Sequence, residues 1–186
     1  MNRSRIVHGA GRACMAMLLT ACFVSLGMGE TCDPANVPLS SMQQLQGLSY
    51  DQLMAMFLKA DIGNPLRGPA KGKVLVLTDR HLPRIKAKVF NTFWHGKSAQ
   101  DDGYLVNRWV GGHQWLDTTH TIGNSWVDNK PAMVVEYAPG TPLFANFRDE
   151  IREIAHGLYL AILYERCPCP RIKGILGLQL ITKPCK

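Results

Sequence analysis

The sequence has no uninterrupted apolar run of about 18 residues or more, which excludes a multi-span helical membrane protein. It has no fixed period, which excludes collagen-like, coiled-coil and solenoid architectures. No G-x-S-x-G elbow occurs, so the usual setting of a serine nucleophile is missing. Ser125, beside Gly123-Asn124, reads as a turn residue. Neither H-x-x-x-H nor H-E-x-x-H occurs, so no helix face offers two histidines to a metal. Charged residues are only 19% of the 186, against 46% apolar, which fits one globular domain and not a disordered chain.

The first 29 residues read as a secretory signal. Arg3, Arg5 and Arg12 precede an apolar stretch from Ala13 to Leu26, and Gly27-Met28-Gly29 supplies small residues for cleavage before Glu30. Leu19-Thr20-Ala21-Cys22 offers a competing lipoprotein cut, with Cys22 as a lipidated first residue. The apolar residues Phe23, Val24 and Leu26 beyond that cut favour cleavage after Gly29. Either route predicts export to the periplasm or beyond, with membrane association only through a lipidated Cys22. Removing this segment leaves 18 basic residues against 14 acidic ones, a net charge of +4 in place of +7. Much of the basicity is therefore targeting signal, and a clustered basic face for nucleic acid is not expected. Lys86 and Lys88, alternating along a predicted strand, read as a solvated face.

Four cysteines remain after that removal: Cys32, Cys167, Cys169 and Cys185. An even number in an exported chain predicts two disulfides. Cys167 and Cys169 flank a single proline and are too close to pair comfortably, so each is expected to pair with Cys32 or Cys185. C-P-C lacks the C-x-x-C spacing of a redox or zinc site, and no metal or cofactor is implied.

Residues 30–66 read as a helical segment. Ser49 and Gln52 form a capping box, and Leu53, Met56, Phe57 and Ala60 follow at helical spacing, with a shorter helix around Ser41 to Leu45. Residues 67–186 then turn to β character. Val74 to Leu77, Ile85 to Phe90, Tyr104 to Val110, His113 to Leu116, Thr119 to Ile122, Ala132 to Tyr137, Leu158 to Tyr164 and Ile175 to Ile181 are predicted strands. Gly96-Lys97, Gly111-Gly112, Asp128-Asn129-Lys130-Pro131 and His156-Gly157 read as turns between them. Phe147 to Ile154 is predicted as a further strand after a short helical turn. Short strands at this spacing predict a mainly β fold, an antiparallel sandwich or barrel.

Arg148, Asp149, Glu150, Arg152 and Glu153 are the densest charge cluster. On a strand some of these must point inward, where an unpaired charge is costly, so they need one another or a ligand. Paired carboxylates at Asp149 and Glu150 would be the acid and base of a small-molecule enzyme. His113 and His120 are placed to approach across a hairpin. Trp94, Trp109, Trp115 and Trp126 lie on or beside strands, where aromatics fill a core or line a cavity.

The run Phe147 to Leu160, FRDEIREIAHGLYL, resembles an RDEIREVAPGLYLG signature in a family of uncharacterised exported bacterial proteins. Trp94-His95-Gly96-Lys97, Val106-Asn107-Arg108 and Ser125 to Pro131 are similar as well, so the resemblance spans about Gly72 to Leu180. The chain departs from the signature at His156 and Ala161, where the pattern carries proline and glycine. The resemblance implies a lipocalin-like (calycin-type) antiparallel barrel and no particular activity. The leading expectation is a barrel that binds a small apolar or amphipathic ligand, with Trp94, Arg108, Trp109, Tyr137, Arg148, Asp149, Arg152 and Tyr159 as candidate ligand-binding residues. A filled barrel with an envelope structural role is the alternative to that carrier, as is the enzyme.

Overall fold

Eight antiparallel strands pair in sequence order, and the last closes on the first. They are β1 (Pro69–Leu77), β2 (Trp94–Ala99), β3 (Tyr104–Trp109), β4 (Gln114–Asn124), β5 (Pro131–Tyr137), β6 (Phe147–Ala155), β7 (Leu158–Glu165) and β8 (Arg171–Leu180). The computed structural model describes residues 41–181, apart from 80, 102, 139, 142 and 143. The predicted signal segment, Cys22, Cys32 and Cys185 lie outside the described residues. Three α-helices and a short 3-10 turn (Val110–Gly112) accompany the strands among the described residues: the helices are α1 (Met42–Leu45), α2 (Tyr50–Lys59) and α3 (Pro83–Phe93).

Side chains alternate across a strand, so each strand of a barrel serves two environments. β7 shows this most plainly. Tyr159, Ala161 and Leu163 join the core inside the barrel, with Val135, Ile151 and Leu176. Leu158, Leu160, Ile162 and Tyr164 join a second core outside it, with Leu45, Leu53 and Phe57 from α1 and α2. Leu45, Leu53 and Phe57 are fully buried; burial of each such side chain stabilises by about 1.5–3 kcal/mol. The capping box starts α2 as predicted. Ser49 Oγ accepts from the Gln52 N–H at 3.3 Å, and Gln52 Oε1 accepts from the Ser49 N–H at 2.9 Å.

Several sequence expectations change. Ile85 to Phe90, predicted as a strand, is the middle of α3. Pro83 sits in the first helical turn, where its fixed φ and missing N–H cost nothing. Ile85, Ala87 and Val89 alternate at period two, which predicts a strand; on the helix Ala87 is buried while Ile85 and Val89 lie on the exposed face. Lys86 and Lys88 are therefore helix residues. His113 and His120 do not face each other across a hairpin, because Gln114–Asn124 is one continuous strand that follows the turn at Gly111-Gly112. Gly96-Lys97, predicted as a turn, lies within β2. Cys167 and Cys169 sit exposed in the β7–β8 connection and are not bonded to each other, and their expected partners fall outside the described residues.

α3 fills a gap in the barrel wall. β1 pairs with β2 only over Pro69 to Lys71, so the rest of β1 has no neighbour on that side. Asn91 of α3 stands in for one: its Oδ1 accepts from the Val74 N–H at 2.7 Å and its Nδ2 donates to the Val74 carbonyl at 3.0 Å. Backbone groups left over at a strand edge need such partners when they are half-buried.

Candidate functional site

The site begins with a bulge. Register shifts between Trp94 and Gly96 in β2. Strict alternation would send Trp94 and Lys97 to opposite faces; the extra residue turns both inward. Gly96 permits it with a φ of +123°, and a Cβ there would collide with the Ala70 carbonyl oxygen. Lys97 is consequently 1% exposed, which is rare for a lysine.

All three donors of the Lys97 ammonium are used. Nζ lies 2.9 Å from Asp149 Oδ2, 3.1 Å from the Tyr137 hydroxyl and 3.2 Å from Asn107 Oδ1. Asn107 Oδ1 also accepts from Trp94 Nε1 at 3.0 Å. Burial works against the charged ammonium, but the Asp149 carboxylate and the Tyr137 hydroxyl together outweigh it and hold Lys97 above the ordinary lysine range. Burial, with Asp149 nearby, also pushes the Tyr137 phenol up, so it stays a neutral hydroxyl.

Above this polar floor is a cavity of about 350 Å³ inside the barrel. Phe90, Trp94, Trp109, Tyr137, Phe144 and Phe147 supply its aromatic walls, and Val74, Leu77, Leu163 and Leu176 the aliphatic ones. Phe144 stacks on Tyr137 at 5.6 Å between ring centroids, and Trp109 on Trp115 at 5.1 Å. Lys86 of α3 also lines the cavity, half-exposed and 3.0 Å from Asp79. Two buried polar atoms of the lining have no hydrogen-bond partner: Asp149 Oδ1 and Trp109 Nε1. Both atoms are covered by protein, as are His120 Nδ1 and the Tyr164 hydroxyl, which lack a partner away from the cavity.

No family model matches the chain, and no curated protein does. A crystal structure of a protein from Thermomonospora curvata is similar, with a TM-score of 0.50 at 11% sequence identity, over 73% of this chain and 89% of that one. The likeness is one of fold. It supports the barrel and leaves the site to be read from its own residues.

Of the eight candidate ligand-binding residues, Trp94, Trp109, Tyr137 and Asp149 line the cavity. Tyr159 lies in the same interior core but away from the cavity lining. Burial and the Glu153 charge push its phenol up to about 12. Arg108 follows Asn107 on β3, turns out of the cavity and reaches the Ala70 carbonyl at 3.3 Å. Arg148 and Arg152 share the outer face of β6 with Glu150, one residue out of phase with Asp149. Asp149 and Glu150 therefore look to opposite sides of the sheet and do not form an acid–base pair.

The outer three charges fasten a turn. Arg152 spends its five N–H groups on Asp128 Oδ1 and Oδ2, both at 2.7 Å, and on the carbonyls of Phe57, Lys130 and Pro131. Hydrogen bonds from Arg152 hold the Asp128 carboxyl below its ordinary range. Glu150 accepts from the Ser125 hydroxyl and from the Trp126 N–H, while Arg148 bonds Glu150 and lies 4.2 Å over the Trp126 ring. Ser125 is thus a turn anchor. Lys97, Asn107, Phe90, Phe144 and Phe147 are the polar and aromatic members of the lining, besides Lys86, that sequence reading did not select.

Proposed function

We propose that this chain is an exported, lipocalin-like barrel protein that binds one small apolar or amphipathic molecule in its interior. The observation that carries the reading is the aromatic-walled cavity of about 350 Å³ beside the buried Lys97–Asp149 pair. Small-molecule sites are commonly about 300–1,000 Å³, mostly apolar, with a few placed polar groups. The consecutive strand order of the closed ring supports the lipocalin-like type. The Arg3 to Gly29 pattern supports export, and export supports pairing of Cys167 and Cys169 with Cys32 and Cys185.

Native mass spectrometry of protein purified gently from its own host tests all of this. A bound mass that denaturation releases is the expected result, on a chain that starts at Glu30. A bare barrel from every preparation, with no small-molecule uptake in solution, overturns the carrier reading. A chain that starts at Met1 overturns export. Thiols that remain fully alkylatable in the unreduced chain overturn the disulfides.

A further inference from the structure

The outer face of α3 is an apolar stripe open to solvent. Leu82, Ile85, Val89 and Phe93 are 64%, 55%, 53% and 52% exposed. Their spacing of three and four residues puts them on one side of the helix. The other side faces the barrel, where Ala87 is buried and Asn91 bonds β1. Trp115 and Val110, each nearly half exposed, continue the stripe from Phe93. A contiguous apolar surface of this kind marks an interaction site.

The charges beside the stripe select the partner. Lys86 is already paired: it lies 3.0 Å from Asp79, which also holds Lys173 at 3.1 Å, so these three groups together leave one positive charge. Arg84 and Lys88 are exposed, four residues apart on one flank, and have no ion-pair partner among the described residues. α3 carries no acidic residue. The face is therefore apolar along its centre and cationic along its edge. Two copies meeting through it about a twofold axis would bring these cationic edges together. An anionic lipid surface suits both parts, because the apolar side chains enter the acyl boundary while Arg84 and Lys88 meet headgroup phosphates. We infer that the α3 face docks in the interface of an anionic lipid bilayer.

Such a contact needs no lipidated Cys22, and it stands on surface residues whatever the cavity holds. It also has a consequence for the carrier reading. Lys86, Phe90, Trp109 and Phe144 line the interior cavity and the groove beside the stripe alike. A bilayer on this face would lie one layer of side chains away from the cavity.

Co-sedimentation of the chain purified from its own host, with phosphatidylcholine vesicles containing or lacking phosphatidylglycerol, tests the docking. The expected result is binding that requires phosphatidylglycerol. It should fall at least about tenfold in Ile85→Ser/Val89→Ser, which removes apolar area, and at least about tenfold in Arg84→Gln/Lys88→Gln, which removes charge. All four side chains are exposed, so both thermal melts should match the wild type. In the wild type, amide exchange should slow across α3 on vesicles and stay unchanged across α2, a readout that a lipid anchor elsewhere would not move. No sedimentation with either vesicle, equal sedimentation of the variants, or unchanged exchange in α3 overturns the inference. Equal binding to the two vesicles overturns the requirement for anionic lipid. A dimer in light scattering that Ile85→Ser/Val89→Ser dissociates, with no vesicle binding, assigns the face to a second copy instead. None of these failures touches ligand uptake by the barrel in solution, which decides the carrier reading separately.

Discussion

Lys97 of β2 and Asp149 of β6 meet at 2.9 Å across the inside of the barrel, between strands that stand four apart in the ring of eight. Each is 1% exposed. The pair ties opposite walls together and floors the cavity, so its energetics and the site's chemistry are the same problem. A buried ion pair is weak in net stabilisation, because desolvation offsets attraction, but removing one partner strands the other.

That asymmetry makes the first prediction. Lys97→Met alone should destabilise by about 3–5 kcal/mol, because Asp149 is left as a buried unpaired charge. Lys97→Met/Asp149→Leu should recover most of the loss. Denaturant melts of the wild type, both single variants and the double give the comparison. Additive losses would mean that the two charges do not depend on each other.

Arg152 has a different task, although it lies only three residues along the same strand. It joins the 124–131 turn and the end of α2 to the outside of β6 through Asp128, Phe57, Lys130 and Pro131. Arg152→Lys keeps the charge but offers three donors in place of five. The loss should be at least about 2 kcal/mol, with faster amide exchange in α2 and at Trp126. Unchanged exchange there would separate Arg152 from the turn.

Acid should loosen the same turn. The Asp128 carboxyl titrates below its ordinary value of 3.8 because Arg152 hydrogen-bonds it. A carboxyl depressed in the folded state contributes stability that is complete above the unfolded value and is lost as pH falls through the folded one. The contribution is thus present at neutral pH and disappears below about pH 4. Asp128→Asn should be less stable than wild type at neutral pH and nearly equal to it at the acid end. A constant difference across thermal melts from pH 7 to pH 3 would refute the assignment.

The parts of this fold that were legible in the sequence share a strong local signal. β7 is a continuous apolar run that starts at the Gly157 turn, β6 places Phe147, Asp149, Ile151 and Glu153 at period two, and α2 carries its capping box, so these were readable. α3 was not, because Ile85, Ala87 and Val89 alternate at period two, while the helix they form exposes Ile85 and Val89 and buries Ala87. Lys97 was hidden twice: Gly96-Lys97 looks like a turn, and the bulge that brings Lys97 inward is a tertiary feature of β1 approaching β2. The grouping of Arg148 and Arg152 with Asp149 is instructive. Period two alone separates them, but which parity faces a cavity depends on how the whole sheet closes.

Gly72 tests that close approach. A Cβ there would come within 2.6 Å of the Trp94 ring and 2.5 Å of the Gly96 Cα. Gly72→Ala should therefore destabilise by about 1–3 kcal/mol. Adding Trp94→Phe should not restore it, since the Gly96 backbone cannot retreat. Full rescue in denaturant melts would place the constraint in the Trp94 side chain alone.

Two leucines of β7 measure whether the cavity is real space. Leu160 is fully buried on the outer face under α1 and α2, and Leu163 lines the cavity on the inner face. Leu160→Phe adds bulk to a packed core and should destabilise by about 1–3 kcal/mol. Leu163→Phe has about 350 Å³ beside it and should be tolerated. The new ring should also weaken binding of a flat aromatic probe such as 2-naphthol, because it takes up volume that the probe needs. Equal destabilisation by the two substitutions would show a filled interior and return the barrel to a structural role. Tolerance at Leu163 with undiminished 2-naphthol binding would move the ligand out of this cavity.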